Sequence, residues 1–213
     1  MNKKNVFSGW LFASLFLAVG MICARIVYTG DIVFGFLIWN LFLAFLPYLF
    51  AMLLVNSERK KSKYQYLWIG LWLLFFPNAP YIITDLFHLQ EREPVPLWYD
   101  TAMLFFTAWN GLLLGILSMM KVESFLTRKF GRRISFLLVS FCFFACGFGI
   151  YAGRFLRWNS WDLLISPKEL ITDLAPRIVH PTHHYGTWGM TLLFGLFPAL
   201  IYFTLKRLTN FKS

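Results

Sequence analysis

Six continuously apolar windows, each about 20 residues long, constrain the fold of this chain more than any other feature of its sequence. An α-helix rises 1.5 Å per residue, so roughly 20 apolar residues cross the hydrocarbon core of a bilayer. The windows therefore predict transmembrane helices. They cover residues 6–28, 32–55, 64–84, 101–120, 134–153 and 187–205.

The composition of the chain supports the same interpretation. Of its 213 residues, 58% are hydrophobic and only 14% are charged, whereas soluble proteins average about 25% charged residues. Strands of a membrane β-barrel would alternate in polarity over about ten residues, and these windows do not alternate. We therefore expect one all-α domain over residues 1–213, a polytopic transmembrane bundle with six spans.

The basic residues predict how this bundle is oriented. The N-terminus, residues 56–63, residues 121–133 and the segment from 206 onward hold 14 of the 20 Lys and Arg but 2 of the 10 acidic residues. By the positive-inside rule these segments are cytoplasmic, so both termini are expected inside the cell. The net charge of +10 thus reflects topology. It does not indicate nucleic acid binding, because no recognition motif accompanies it.

The third window contains a helix break at membrane depth. In the stretch FFPNAPYIITDLFHL, Pro77 and Pro80 flank Asn78. Proline lacks an amide hydrogen, and an interrupted backbone is tolerated in lipid only where neighbouring helices or a wet cavity satisfy it. The break either lines a cavity or is a kink used for packing. Asp85 and His88 follow at i, i+3 spacing, so they share a face if the segment is helical.

Small residues predict close helix packing in the fourth and fifth windows. Gly149 and Gly153 continue a stripe of small residues on the fifth helix, and Gly111 and Gly115 offer a matching groove on the fourth. Such stripes allow the backbones of two membrane helices to approach closely. We expect both to serve packing.

A polar segment rich in arginine and tryptophan follows the fifth window, on the predicted outer side. Its members are Arg154, Arg157, Trp158, Asn159, Trp161 and Asp162. Arginine binds phosphate or carboxylate through two parallel hydrogen bonds, and tryptophan is frequent at the level of lipid headgroups. The segment therefore predicts a site for a lipid phosphate. The alternative is that ion pairs of Arg157 with Asp162, or of Arg154 with Asp100, join helix ends.

Asp100 and the histidines complete the candidate residues. Asp100 opens the fourth helix, where an acid either caps the N-terminus or contacts a ligand. His180 and His184 have the i, i+4 spacing of some zinc ligands, and all four histidines fall on the predicted outer side. With His88 they are weak candidates for a metal site. The three cysteines show no metal spacing.

The segments PNAPYIITDLFHL, WYD and GIYAGRFLRWNSWDL resemble a bacterial integral-membrane family catalogued as domain of unknown function 1361. The likeness extends from near Trp68 to Ile165. It implies an integral membrane protein, located in the bacterial cytoplasmic (inner) membrane, whose signature motifs are these segments. It implies no reaction.

We predict an outer-leaflet site that binds an anionic lipid or lipid-linked substrate. If the protein is an enzyme, the same site would transform that substrate. General acid–base chemistry would use Asp85 and His88, with Asp100 orienting them. The predicted substrate-binding residues are Asn78, Tyr81, Arg154, Arg157, Trp158, Asn159, Trp161 and Asp162.

Two other hypotheses remain open at this stage. Asp85, His88, His180 and His184 are similar to the Asp and His set of membrane hydrolases that include alkaline ceramidases, which implies zinc as a cofactor; those proteins usually have seven spans. The third hypothesis is a non-catalytic transport or assembly subunit, in which the same residues are structural or bind lipid only. Broken helices also build substrate sites in transporters, and a homo-oligomer would then supply the second half of the site.

Overall fold

The computed structural model describes residues 3–210, and the side chains of residues 9–208. Over that range the protein is all-helical and contains no β-strand, so the predicted all-α class is confirmed. The helices are α1 Lys3–Thr29, α2 Phe36–Arg59, α3 Gln65–Phe75, α4 Asn78–Tyr81, a 3-10 helix Ile82–His88, α5 Leu97–Phe155, α6 Asp162–Ile165, α7 Pro167–Val179, a second 3-10 helix Pro181–His183, and α8 Tyr185–Asn210.

Five helical stretches are long and apolar enough to cross a membrane. They are Gly9–Thr29, Phe36–Arg59, Gln65–His88, Leu97–Phe155 and Tyr185–Leu208. Large apolar side chains on these helices face outward; Phe16 is 81% exposed. Water-soluble monomers rarely expose contiguous apolar surface of this extent. The architecture is that of a multi-pass membrane protein.

The longest of these stretches, α5, is a helical hairpin. Gly131 has a φ of 80° and a ψ of 167°, outside the helical region. The Ser135 hydroxyl lies 3.0 Å from the Thr127 hydroxyl and 3.4 Å from the Glu123 carbonyl oxygen. Twelve residues of straight helix would separate the last pair by about 18 Å. The chain therefore reverses at Gly131, between a first arm, residues 97–130, and a second arm, residues 132–155.

The hairpin corrects the boundaries predicted for this part of the chain. Residues 121–133 were expected to form a cytoplasmic loop between two spans. Both arms instead continue as helix up to Gly131, which alone makes the turn. Glycine has no Cβ and adopts a positive φ at little cost, so one residue is sufficient.

Side-chain contacts sort the helix ends into two sets, separated by the length of the α5 arms. The His88 end is defined by the contacts Arg25–Asp100 and Arg154–His88, and the Gly131 end by the ion pairs Arg128–Glu58 and Lys206–Glu123. Between them lies the main apolar core, which includes the fully buried Trp72, Phe76 and Tyr202.

Residues 77–88, here called the proline segment, lie between the two arms of α5. A Cβ at Gly111 on the first arm would collide with Ile82. A Cβ at Gly149 on the second arm would lie 3.0 Å from Cγ of Pro77. The two small-residue stripes therefore do serve packing, but they contact opposite sides of the proline segment and do not pack on each other as a matched pair.

Candidate binding and catalytic site

The prolines determine the local geometry of the proline segment. The regular helix α3 ends at Phe75, Asn78–Tyr81 form a single turn, and Ile82–His88 continue as a 3-10 helix. Because proline has no amide hydrogen, the series of backbone hydrogen bonds loses donors at Pro77 and Pro80. The side-chain amide of Asn78 donates to the Phe75 carbonyl at 3.0 Å and supplies one replacement bond.

The 3-10 geometry places Asp85 and His88 on one face. A 3-10 helix has three residues per turn, so side chains three positions apart are eclipsed. The end of the second α5 arm approaches this face and brings Arg154 to it. The proline segment and the arginine-tryptophan segment, which the sequence places on one side of the membrane, are thus in direct contact.

The carboxylate of Asp85 is buried, with only 2% of its side chain exposed. The Asn40 amide, from α2, donates to its Oδ2 at 2.8 Å. Its Oδ1 lies 3.9 Å from Nη1 of Arg154 and has no hydrogen-bond partner among the described residues. A buried carboxylate oxygen that lacks a hydrogen bond is uncommon, because its desolvation is uncompensated. Asp85 therefore retains unused accepting capacity toward Arg154.

Arg154 lies between Asp85 and His88. Its Nη2 is 3.2 Å from Nδ1 of His88. A guanidinium can only donate, so Nδ1 must accept and the imidazole proton resides on Nε2. Arg154 is 19% exposed, and this is the hydrogen bond that it makes within the described part of the chain. Most of its five N–H donors thus remain available to a ligand.

A cavity of about 420 Å³ adjoins this cluster. Asn40, which holds Asp85, is one of its lining residues, and Gly153 precedes Arg154 on its wall. Among the predicted substrate-binding residues, Asn78, Tyr81, Trp158 and Asn159 line it. The remaining wall is mostly apolar, and leucines of α6 and α7 cover it: Leu163, Leu170 and Leu174.

A residue in the left-handed backbone conformation, Arg157, turns the chain from the second α5 arm toward the cavity. Arg157 has a φ of 62° and an exposed side chain. After this turn, the Ser160 hydroxyl accepts a hydrogen bond from the Asn78 amide at 2.9 Å. Asp162 accepts from the backbone and side-chain nitrogens of Asn159, at 2.6 and 3.2 Å. The ion pair of Arg157 with Asp162, one of the alternatives, is therefore not formed.

Trp158 and Trp161 differ in their surroundings. The indole nitrogen of Trp158 donates to Asp173 of α7 at 3.0 Å, so Trp158 joins the arginine-tryptophan segment to the covering helix. Trp161 is half-buried and precedes α6. Trp161 and Asp162 do not line the cavity.

Asp100 occupies a different site at the His88 end. Nε and Nη2 of Arg25 donate to its two carboxylate oxygens at 2.7 and 3.1 Å, and both side chains are buried. The guanidinium of Arg25 also stacks on Phe34. Asp100 makes no contact with Asp85, His88 or Arg154, so the proposed ion pair with Arg154 is absent and its role in orienting them has no contact to support it.

The histidines do not assemble around the acidic residues. The rings of His180 and His183 are 6.0 Å apart. No group of three or more His, Cys, Asp or Glu side chains is placed to hold a metal ion within the range that the structure describes. His88 contacts Arg154 and the ring of Phe36. The set Asp85, His88, His180 and His184 is therefore not brought together as a zinc site.

Four polar partners in these contacts were not among the residues predicted from the sequence: Asn40, Ser160, Arg25 and Asp173. Asn40 was detectable, because it is an amide within a window whose neighbours are almost all apolar, and polar groups at membrane depth are functional suspects. Arg25 was detectable in the same way. Ser160 carried no signal, since serine is ordinary in a polar segment.

The fold and this site define the class: an all-helical, multi-pass membrane protein with a buried polar cluster beside a cavity at one end of the bundle. The chain belongs to the family described as "Protein of unknown function (DUF1361)", whose model matches residues 39–201. That match covers the proline segment, both arms of α5 and the arginine-tryptophan segment. No curated protein and no solved structure matches the chain.

Proposed function

We propose that this protein binds an anionic lipid or lipid-linked substrate at the cluster of Asp85, His88 and Arg154, and transforms it by acid–base chemistry. The observation that carries the proposal is the exposure and the unused hydrogen-bond donors of Arg154. It is a partly exposed guanidinium with most of its donors unused, held beside a cavity whose walls are mostly apolar. An amphipathic molecule with a phosphate or carboxylate matches both features.

The proposal includes a topology. We infer six crossings, with the two arms of α5 as the fourth and fifth, and both termini in the cytoplasm, because the Gly131 end holds most of the basic residues. The His88 end then faces the outer leaflet of the cytoplasmic membrane. Lipids of that leaflet would reach the cavity from the side.

The chemistry would divide among the three residues. The anion would accept hydrogen bonds from Arg154 in two-pronged fashion. His88, whose proton is on Nε2, would donate a hydrogen bond that polarises the substrate, and Asp85, with its unsatisfied Oδ1, would act as the base. Arg154 contacts both Asp85 and His88, so it would also hold these two side chains at a fixed spacing.

A binding experiment tests the first half of the proposal. The purified protein is placed in lipid nanodiscs, and retention of phosphatidylglycerol over phosphatidylcholine is measured by native mass spectrometry. Arg154→Gln should weaken retention of phosphatidylglycerol by about tenfold or more, since hydrogen bonds to charged groups contribute about 1.5–3 kcal/mol. Lys168→Gln, an exposed position at the same end, is the matched control and should retain the selectivity. Equal retention by both variants would reject Arg154 as the anion ligand.

A second experiment tests transformation. Lipid extracts are compared from cells that produce the natural protein, Asp85→Asn or His88→Gln at equal membrane levels. A lipid species that changes with the natural protein and not with either variant supports catalysis. Identical lipid extracts, with folded protein present in all three, would reject the proposed transformation and leave only the proposed binding.

The second candidate is the non-catalytic transport or assembly subunit. The burial of Asp85 favours it, because Asn40, Asp85 and Arg154 join α2, the 3-10 helix and α5 into one contact. In that case Asp85→Asn should lower the melting temperature of the purified protein while the lipid extracts of cells remain unchanged.

A further inference from the structure

Three asparagines line the cavity: Asn40, Asn78 and Asn159. Each donates its side-chain amide nitrogen to an acceptor of the protein itself. These acceptors are the carboxylate of Asp85, the Phe75 carbonyl together with the Ser160 hydroxyl, and the carboxylate of Asp162, respectively. The same use of the amide therefore recurs on α2, on the proline segment and after α5.

These contacts fix which end of each amide remains free. Carboxylates and backbone carbonyls can only accept, so the amide nitrogen must face them, and the orientation does not depend on an arbitrary assignment. The Oδ1 of each asparagine receives no hydrogen bond from any described residue. Each of the three asparagines that line the cavity thus has an amide oxygen with unused accepting capacity.

The cavity is also uncharged. None of its lining residues is Asp, Glu, Lys, Arg or His, and its aromatic side chains are Trp39, Tyr81, Phe148 and Trp158. An ammonium or other cation would lack a counter-charge there, because Asp85 does not line the cavity and is itself buried. A hydroxyl satisfies such acceptors without bringing a charge, and aromatic faces suit the C–H surface of a sugar ring.

We propose that the cavity binds an uncharged, hydroxyl-rich group, a sugar or polyol, which forms the headgroup portion of the lipid-linked substrate. This inference rests on the proposed function, since it names the substrate class of the same site. The sugar would occupy the cavity and donate to the three asparagine oxygens. The anionic link to the lipid would reach Arg154, one residue beyond Gly153 on the cavity wall.

A pair of amphiphiles with the same tail tests this inference. Octyl β-glucoside carries a headgroup with several hydroxyl donors, whereas tetraethylene glycol monooctyl ether offers mainly ether acceptors. Each is titrated at low concentration into the protein in phosphatidylcholine nanodiscs, and the melting temperature is recorded. The glucoside should give a saturable rise, with an apparent affinity at least fivefold tighter than that of the ether. Equal effects of the two amphiphiles would overturn the inference, and so would a tighter effect of octylamine, which would indicate a cation site.

Two asparagine variants locate the effect. Asn159→Leu, at an exposed position, should weaken the glucoside effect at least threefold, while Asn56→Leu, an exposed position in the last turns of α2 and outside the cavity, should not change it. Equal weakening by both variants would overturn the inference. The comparison of amphiphiles on the natural protein requires no variant, so misfolding of Asn159→Leu leaves the test decisive.

Arg154→Gln separates this inference from the proposed function. Phosphatidic acid is the anionic lipid for this comparison, because its headgroup carries a phosphate and no polyol. Arg154 does not line the cavity, so the variant should keep the glucoside effect and lose selectivity for phosphatidic acid over phosphatidylcholine. A protein that shows the glucoside effect but no selectivity for phosphatidic acid contradicts the anionic part of the proposed function alone. A protein that selects phosphatidic acid through Arg154 but does not distinguish the two amphiphiles contradicts only the sugar inference.

Discussion

Two arginine–carboxylate contacts lie at the same end of the bundle and differ in every respect that bears on function. Between Arg25 and Asp100 there are two hydrogen bonds, at 2.7 and 3.1 Å, and both side chains are almost fully buried. Between Arg154 and Asp85 the closest approach is 3.9 Å, and the arginine is partly exposed. The first pair satisfies itself, while the second leaves donors and an acceptor unused beside a cavity. Buried polar groups are normally satisfied, so the second pair is the one that points to a ligand.

Asp100→Ala should produce the largest loss of stability. It would leave Arg25 buried without a counter-charge, which costs about 3–5 kcal/mol. Thermal unfolding in detergent measures the loss. The double variant Arg25→Met with Asp100→Leu should recover much of it, because a well-packed apolar pair replaces the charges. A loss below about 1 kcal/mol would place this pair among weak surface ion pairs and would weaken the comparison.

Gly111→Ala should cause the next largest loss of stability, and it affects the site at Asp85, His88 and Arg154 without touching the Arg25–Asp100 pair. The added methyl group meets Ile82 in the proline segment, and overpacking of this kind costs about 1–3 kcal/mol. Binding of phosphatidylglycerol should fall as the segment shifts. Gly189→Ala is the control, since a Cβ there has no neighbour within 4 Å. If Gly111→Ala binds lipid as the natural protein does, the position of the proline segment does not govern the site.

Asp85→Asn should cost less stability than either change, about 1 kcal/mol. The asparagine can still accept from Asn40, and Arg154 keeps its exposure and its bond to His88. We expect a small change in melting temperature together with loss of any lipid transformation. A loss as large as that of Asp100→Ala would show that the two pairs are structurally equivalent and would favour the non-catalytic candidate.

Arg157→Gly should have the smallest effect on stability, and its sign is informative. Arg157 adopts a left-handed conformation that costs a non-glycine residue about 1–2 kcal/mol, so glycine should leave the melting temperature unchanged or slightly raised. Retention of phosphatidylglycerol is measured alongside. Unchanged retention would remove Arg157 from the site, and reduced retention with unchanged stability would make it a second anion ligand.

The sequence predicted the depth of residues in the membrane better than it predicted which helices lie next to each other. Pro77 and Pro80 locate the helix break, and counting spans places Asp85 and Arg154 at the same end, because hydropathy and charge report position along the membrane normal. Nothing in the pattern reports which helices are adjacent. The pairing of Arg25 with Asp100, residues 75 apart in sequence, and of Asn40 with Asp85 depends on lateral packing. For the same reason Asp100 was assigned to a site that it does not reach.

The turn at Gly131 shows a second limit of the sequence. The basic residues around it predict a cytoplasmic connection, and that assignment depends on charge alone. Whether such a connection is a loop or two helices that meet at one residue depends on a single positive φ. A glycine among basic residues does not distinguish these cases.

The contacts of Gly111 and Gly149 with the proline segment have a consequence for other members of the family. Because backbone atoms of α5 meet Ile82 and Pro77 with no side chain between them, neither surface can change alone. A member with a larger residue in place of Gly111 would need a smaller residue in place of Ile82 together with a shift of the Ala79 carbonyl oxygen, which would lie 2.8 Å from the added Cβ. At Gly149 the added Cβ would meet Pro77, so those two positions should also change together. Aligned sequences from many genomes should record these substitutions as correlated pairs.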